Sequence, residues 1–254
     1  MKVKRQELTK VLYAIIMIIL TISIVACNKD DDIEEDDSSS TSLNNIMPLG
    51  ASRVQGSSPD HESYRYDLWK DLIDGGWDFD YIGTSNDAAS YPAYNGNDFD
   101  VDHEGHGGWT SVGILSSISG WLAEAGTPDI VLFSSPGAND ALQGLLYDDA
   151  ITNINAIIDE IQSANPDVTI IIEQMAPAHS SIMTTELTTY FDQMQEEVVT
   201  IASEQTTSTS QVITVDMFTD FSDDYFADDG VHYNEDGADF IATQYYSVLV
   251  DLLQ

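Results

Sequence analysis

Positive charge is the scarcest commodity in this sequence. Its 254 residues carry eight Lys and Arg against 44 Asp and Glu, for a net charge of −36. Lys2, Lys4, Arg5 and Lys10 sit in the first ten residues, and only Lys29, Arg53, Arg65 and Lys70 follow. Grip on a phosphate backbone needs clustered Lys and Arg, so a nucleic-acid partner is excluded. Such a surface stays soluble but repels itself. Salt screens that repulsion beyond about 10 Å at 0.1 M, which points to a saline habitat. Cysteine is nearly absent: Cys27 is the single one. A lone thiol excludes an internal disulfide and a multi-thiolate metal site. A Gly-x-Ser-x-Gly elbow is missing as well, and no internal repeat is present.

The lone cysteine has a specific context. A basic start is followed by an apolar run from Val11 to Val25 and then by Ile24-Val25-Ala26-Cys27. The run is about fifteen residues, short of the roughly twenty that a membrane span needs. A small residue before the cysteine fits a lipobox, so residues 1–27 read as a lipoprotein signal peptide and Cys27 as the lipidated residue. Asn28-Lys29-Asp30-Asp31-Asp32-Ile33-Glu34-Glu35-Asp36-Asp37 and the Ser-rich stretch after it cannot bury apolar surface. Residues 28–44 therefore read as a disordered tether. The acidic run resembles the export signal of surface lipoproteins in Bacteroidetes-type bacteria. That resemblance implies an outer-membrane protein held through Cys27 and exposed at the cell surface, with the periplasmic face as the alternative.

From residue 45 onward, short apolar runs alternate with helical spacing. Strands are expected at 45–49, 79–83, 129–133, 168–172 and 212–215, and helices at 64–73, 110–125, 149–164, 184–204 and 237–253. Residues 84–107 read as a long loop. The alternation predicts one α/β domain over 45–254: a three-layer, doubly wound sheet of about five parallel strands with helices on both faces.

Five stretches carry the chemistry. They are Gly50-Ala51-Ser52, Gly107-Gly108-Trp109, Gly137-Ala138-Asn139-Asp140, Met175-Ala176-Pro177 and Asp229-Gly230-Val231-His232. Most follow an expected strand, where an open α/β sheet places its site. Ester hydrolysis needs a nucleophile, a base, a group to orient the base, and donors for the oxyanion. Ser52 supplies the first and His232 the second. Asp229, three residues earlier, can reach the Nδ1 of His232. The Ser52 turn, Gly108 and the side chain of Asn139 can form the oxyanion hole. No cofactor is needed.

Ser, Gly, Asn and His in this order resemble the SGNH (GDSL-type) hydrolase family, from about Asn45 to the C-terminus. The resemblance implies a flavodoxin-like fold, a Ser52–His232–Asp229 triad, and Gly108 as the oxyanion glycine, flanked by Gly107 and Gly105. Ala51 stands where most members carry aspartate. That aspartate is mainly structural, so the chemistry is retained. Resemblance to carbohydrate esterases of the family, with the surface address, implies removal of acetyl or other short acyl groups from polysaccharides. A lipase, lysophospholipase or thioesterase on the same fold is the alternative, and a non-catalytic glycan-binding surface protein is a further one. The partner is then an ester-bearing small molecule or polysaccharide.

The remaining polar clusters have plainer readings. His103-Glu104-Gly105-His106 lacks the spacing of a zinc helix, and Asp98, Asp100 and Asp102 lack the glycine and glutamate of a calcium loop. Both read as loop-positioning groups, and no metal is expected. His179 reads as pocket wall or surface. Arg53, beside the nucleophile, is expected to salt-bridge a nearby carboxylate or to read an acidic substrate group. Trp109, with the tyrosines of the loop from Tyr91 onward, is expected to stack on sugar.

Overall fold

The computed structural model describes residues 44–87 and 91–253. The signal segment, Cys27 and nearly all of the acidic tether lie outside the described residues. No helix among the described residues is long and apolar enough to cross a membrane.

The chain begins with β1 (Asn45–Gly50), a one-turn α1 (Ser52–Gln55) and α2 (Arg65–Gly75). Short strands β2 (Asp80–Tyr81), β3 (Ser85–Asn86) and β4 (Asp102–Gly105) precede α3 (Ser111–Ala125) and β5 (Ile130–Phe133). Then come α4 (Ala138–Leu142), α5 (Tyr147–Ala164), β6 (Thr169–Gln174), α6 (Thr185–Gln205), β7 (Gln211–Asp216) and α7 (Glu235–Leu249). The sheet runs β3-β4-β1-β5-β6-β7, with β2 also on β1. Every pairing is parallel except β3 with β4.

Strand side chains alternate between two buried layers, because successive Cβ atoms point to opposite faces. Met47, Leu49, Val131, Phe133, Ile170 and Ile172 pack under α3, α5 and α6. Ile46, Ile130, Leu132, Ile171 and Val215 pack under α2 and α7. The three-layer expectation therefore holds. Two strands, β3 and β4, lie within the stretch expected to be loop.

Pro48 sits in the middle of the central strand, where a missing N–H should break the ladder. The carbonyls of Ile46 and Gly50 accept from Ile82 and His106 on one side of β1. By the two-residue alternation, Pro48 faces that same side. Its partner there changes from β2, at Asn45 and Ile46, to β4, at Leu49 and Gly50. The proline falls at the changeover, and the switch delivers β4 and the Gly107-Gly108 turn to the end of β1.

Candidate active site

Ser52 opens α1 directly after β1, so its N–H has no acceptor within its own helix. Ala51 does not disturb this turn: its carbonyl accepts from Val54 and Gln55 at 3.1 and 3.0 Å. The loop between β7 and α7 brings His232 against it, with Nε2 at 2.7 Å from the Ser52 Oγ. Nδ1 of His232 lies 2.5 Å from Oδ2 of Asp229. An ionised carboxylate can only accept, so Nδ1 carries the proton and Nε2 accepts from the serine hydroxyl. The other oxygen of Asp229 accepts from the backbone N–H groups of Val231 and His232 at 2.8 and 2.9 Å. Burial pushes the Asp229 carboxyl up, but those N–H groups and the imidazole outweigh it and hold it at about 2.

The loops carrying Gly108 and Asn139, the expected oxyanion donors, are locked together. Gly137, in the left-handed region at φ 75°, starts α4, where a Cβ would meet the Met194 methyl at 2.6 Å. Asp140 accepts from the backbone N–H of Ser111 at 2.9 Å and from its hydroxyl at 2.7 Å, at the start of α3. Asn139 donates to the carbonyl of Trp109 at 2.7 Å, which leaves its second amide hydrogen for a ligand. Asp140 thus fixes Asn139 relative to the turn before α3. In that turn the Gly107 N–H donates to Gln55 at 2.7 Å. Gly108 has φ 78°, its carbonyl accepts from Gln143 at 3.0 Å, and its N–H has no acceptor among the described residues. Of the two glycines, Gly108 is the one whose N–H is left open to a ligand.

Between these groups lies a mostly apolar cavity of about 30 Å³, bordered by Ser52, Trp109, Ile114, Phe133, Asn139 and Phe191.

Arg53 corrects the sequence expectation. It is buried, and its Nε, Nη1 and Nη2 donate to the carbonyls of Val231, Ala176 and Pro177 at 3.0, 2.9 and 2.7 Å. Its guanidinium also lies 4.8 Å from the centre of the Tyr233 ring. It has no carboxylate partner among the described residues, and every guanidinium nitrogen is already engaged. Arg53 is a brace between the Ser52 turn, the loop after β6 and the loop that carries His232. This also explains the Met175-Ala176-Pro177 stretch, which supplies carbonyls rather than side-chain chemistry.

The aromatic loop is corrected too. Tyr91 and Phe99 pack on Tyr66, and Tyr94 on Trp69, so these rings cover α2 rather than the cavity. Only Trp109 of that set reaches it. Glu104 accepts from the backbone N–H and hydroxyl of Thr84 and meets His106 at 2.5 Å. The His106 ring packs against both Trp121 and Trp109, at 4.3 and 4.7 Å, and those two rings also touch each other at 5.3 Å. His103 is buried and held neutral down to about 3, chiefly by that burial. Asp100 accepts from the N–H groups of Tyr81 and Asp102. These are positioning roles, as expected. His179 lies at the surface, where its N–H donates to the carbonyl of Gly230.

Two residues escaped the sequence reading. Glu173, buried at the end of β6, accepts from the Ser135 N–H at 2.7 Å and from Tyr245 at 2.7 Å. It holds Ser135, at φ 48°, in the turn that leads into α4. Burial pushes its carboxyl up, and Tyr245 and Ser135 oppose that. A lone acid ending the apolar run Thr169–Ile172 was the available signal. The second is His61, whose ring stacks on His232 at 4.0 Å between centres.

The sequence model of the GDSL-like Lipase/Acylhydrolase family matches residues 71–240. No curated protein matches. A serine-to-alanine mutant of an acetyl esterase, solved with acetate ion, is 29% identical with a TM-score of 0.71, covering 83% of this chain and 98% of its own. A family 3 carbohydrate esterase from Talaromyces cellulolyticus is 30% identical, also with a TM-score of 0.71 and the same coverage of 83% and 98%. A family 3 carbohydrate esterase from Clostridium thermocellum is 27% identical, with a TM-score of 0.68 over 82% of this chain and 96% of its own. With the family's model matched over most of the folded region, the chain belongs to the GDSL-like lipase/acylhydrolase family and is an ester-hydrolysing enzyme.

Proposed function

We propose that this enzyme removes acetyl groups, or acyl groups of similar size, from polysaccharides by a Ser52–His232–Asp229 mechanism. The observation that carries the reading is the cavity of about 30 Å³ beside Ser52. Its small volume and its apolar wall of Ile114, Phe133 and Phe191 suit the methyl of an acetyl better than a long acyl chain. Two of the similar structures are carbohydrate esterases and one is an acetyl esterase, which supports the same substrate class.

Ser52 Oγ attacks the ester carbonyl as His232 Nε2 takes its proton. The carbonyl π electrons move onto oxygen, which meets the N–H groups of Ser52 and Gly108 and the amide of Asn139. Collapse expels the sugar alkoxide, which takes the proton from His232, and leaves acyl-Ser52. Water, deprotonated by His232, attacks the acyl carbon and releases acetate while Ser52 regains its proton. Asp229 keeps the productive tautomer throughout. The proposed setting is the outer-membrane surface, through lipidated Cys27 and the acidic tether, where polymeric substrates are met.

The test is a panel of acetylated glycans and p-nitrophenyl esters from acetyl to octanoyl. Acetyl should be preferred over butyryl and strongly over octanoyl. Rates rising steadily toward octanoyl would sink the short-acyl reading, since a real acyl channel gains about 0.8 kcal/mol per buried CH₂.

A further inference from the structure

We propose that His61 is a positioning residue for the base, its ring lying flat on the imidazole of His232 and holding that ring as it gains and loses the proton. The inference rests on the reading of His232 as the base. The ring centres are 4.0 Å apart and the planes are inclined by 22°. At that distance the two faces touch, so His61 shields one face of His232 from water and blocks its rotation to that side.

The stack is set by backbone pairing. Ser57 and His61 exchange N–H···O bonds at 3.0 and 3.3 Å, which closes the loop after α1. The next residue, Glu62, donates its N–H at 2.9 Å to the carbonyl of Tyr233, the residue after His232. The loop leaving the nucleophile and the loop carrying the base are therefore joined at adjoining positions. Any shift of one carries the other with it.

The nitrogen chemistry of His61 is not used. Its Nε2 is buried with no partner among the described residues. Burial, and then the proximity of His232, lower its pKa, against the opposing pull of Asp229 and Asp60, so the ring is uncharged at neutral pH. An uncharged aromatic face attracts a cation lying on it. His232 becomes that cation only once it has taken the proton of Ser52. The attraction therefore strengthens in the transition state, where it raises kcat rather than lowering KM.

The experiment measures kcat and KM on p-nitrophenyl acetate for the wild type, His61→Ala, His61→Phe and Ser52→Ala, with a urea midpoint for each. His61→Ala should lower kcat about tenfold, within the range of a cation–π contact, with KM unchanged. His61→Phe keeps the face without the nitrogens and should recover most of that loss. A folded His61→Ala with wild-type kcat, while Ser52→Ala is inactive, would overturn the inference alone. An effect confined to KM would overturn it too, by making His61 a substrate contact. If alanine unfolds the loop, phenylalanine decides: near-wild-type kcat supports the stacking role, and a folded but slow variant overturns it. Ser52→Ala at the wild-type rate would instead overturn the nucleophile reading, and this inference with it.

Discussion

Asp229 has two oxygens with separate duties, and this makes one substitution unusually informative. Oδ1 accepts two backbone N–H groups, while Oδ2 faces the imidazole. In Asp229→Asn the amide oxygen must stay with the backbone donors, so the NH₂ is forced toward Nδ1. The imidazole then has to accept at Nδ1 and carry its proton on Nε2, where it cannot take one from Ser52. Turnover should fall by roughly 10⁴, the scale of a wrong-tautomer loss. Wild-type Asp229, at about 2, is ionised across any practical assay range, so the loss should be similar from pH 6 to 9. A kcat/KM profile of the variant that recovers at either end of that range would contradict the tautomer argument. The same loop shows what a sequence can reveal at this scale. The contact between Asp229 and His232 was legible from a three-residue offset, because one turn suffices to join them. Arg53 was misread because its partners are carbonyls, which every residue has and no sequence pattern marks.

The elements were legible where apolar periodicity is strong. Ile130–Phe133 and the helix 111–125 fall within a residue of the sequence expectation. β4 was not, because Asp102-His103-Glu104-Gly105 is polar yet almost wholly buried, with Glu104 bound to Thr84 and His106 and the His103 Nδ1 accepting from the Gly105 N–H. Polarity read as loop; hydrogen bonding made it a strand. In the proposed function the helices also set the acyl limit, since Ile114 of α3 and Phe191 of α6 wall the cavity against Phe133 of β5. Ile114→Ala should open it at a stability cost of roughly 2–5 kcal/mol. If the cavity sets selectivity, the butyryl-to-acetyl ratio in kcat/KM should rise on the order of tenfold, two methylenes being worth about 1.6 kcal/mol. An unchanged ratio in a folded variant would place the chain-length filter elsewhere.

At the scale of the whole molecule the charge imbalance has a direction in pH. Both arginines among the described residues are buried, and Lys70 pairs with Asp67 at 2.6 Å, so the surface is overwhelmingly acidic. Asp67 and Asp71 are raised, by burial first and then by neighbouring carboxylates. Asp100 is the sharpest case. Burial lifts it to about 6, although the N–H groups of Tyr81 and Asp102 pull it down. A carboxyl raised in the folded state binds a proton there that the unfolded chain, near 3.9, has already lost. Stability must then fall as pH rises through about 4 to 6. The opposite sign holds for Asp229, whose contribution is present above about 4 and is lost as pH falls toward 2. The urea midpoint should therefore be greatest near pH 4–5 and lower at pH 8. Sodium chloride should raise the pH 8 value by screening the surface carboxylates. It should not remove the share due to buried Asp100. Asp100→Asn keeps the carbonyl that accepts from Tyr81, gives up the bond from the Asp102 N–H and cannot ionise, so its midpoint should fall less from pH 4.5 to pH 8 than that of the wild type. A wild-type midpoint that is flat or rises from pH 5 to 8, or a variant with the wild-type pH slope, would show that Asp100 carries no such cost.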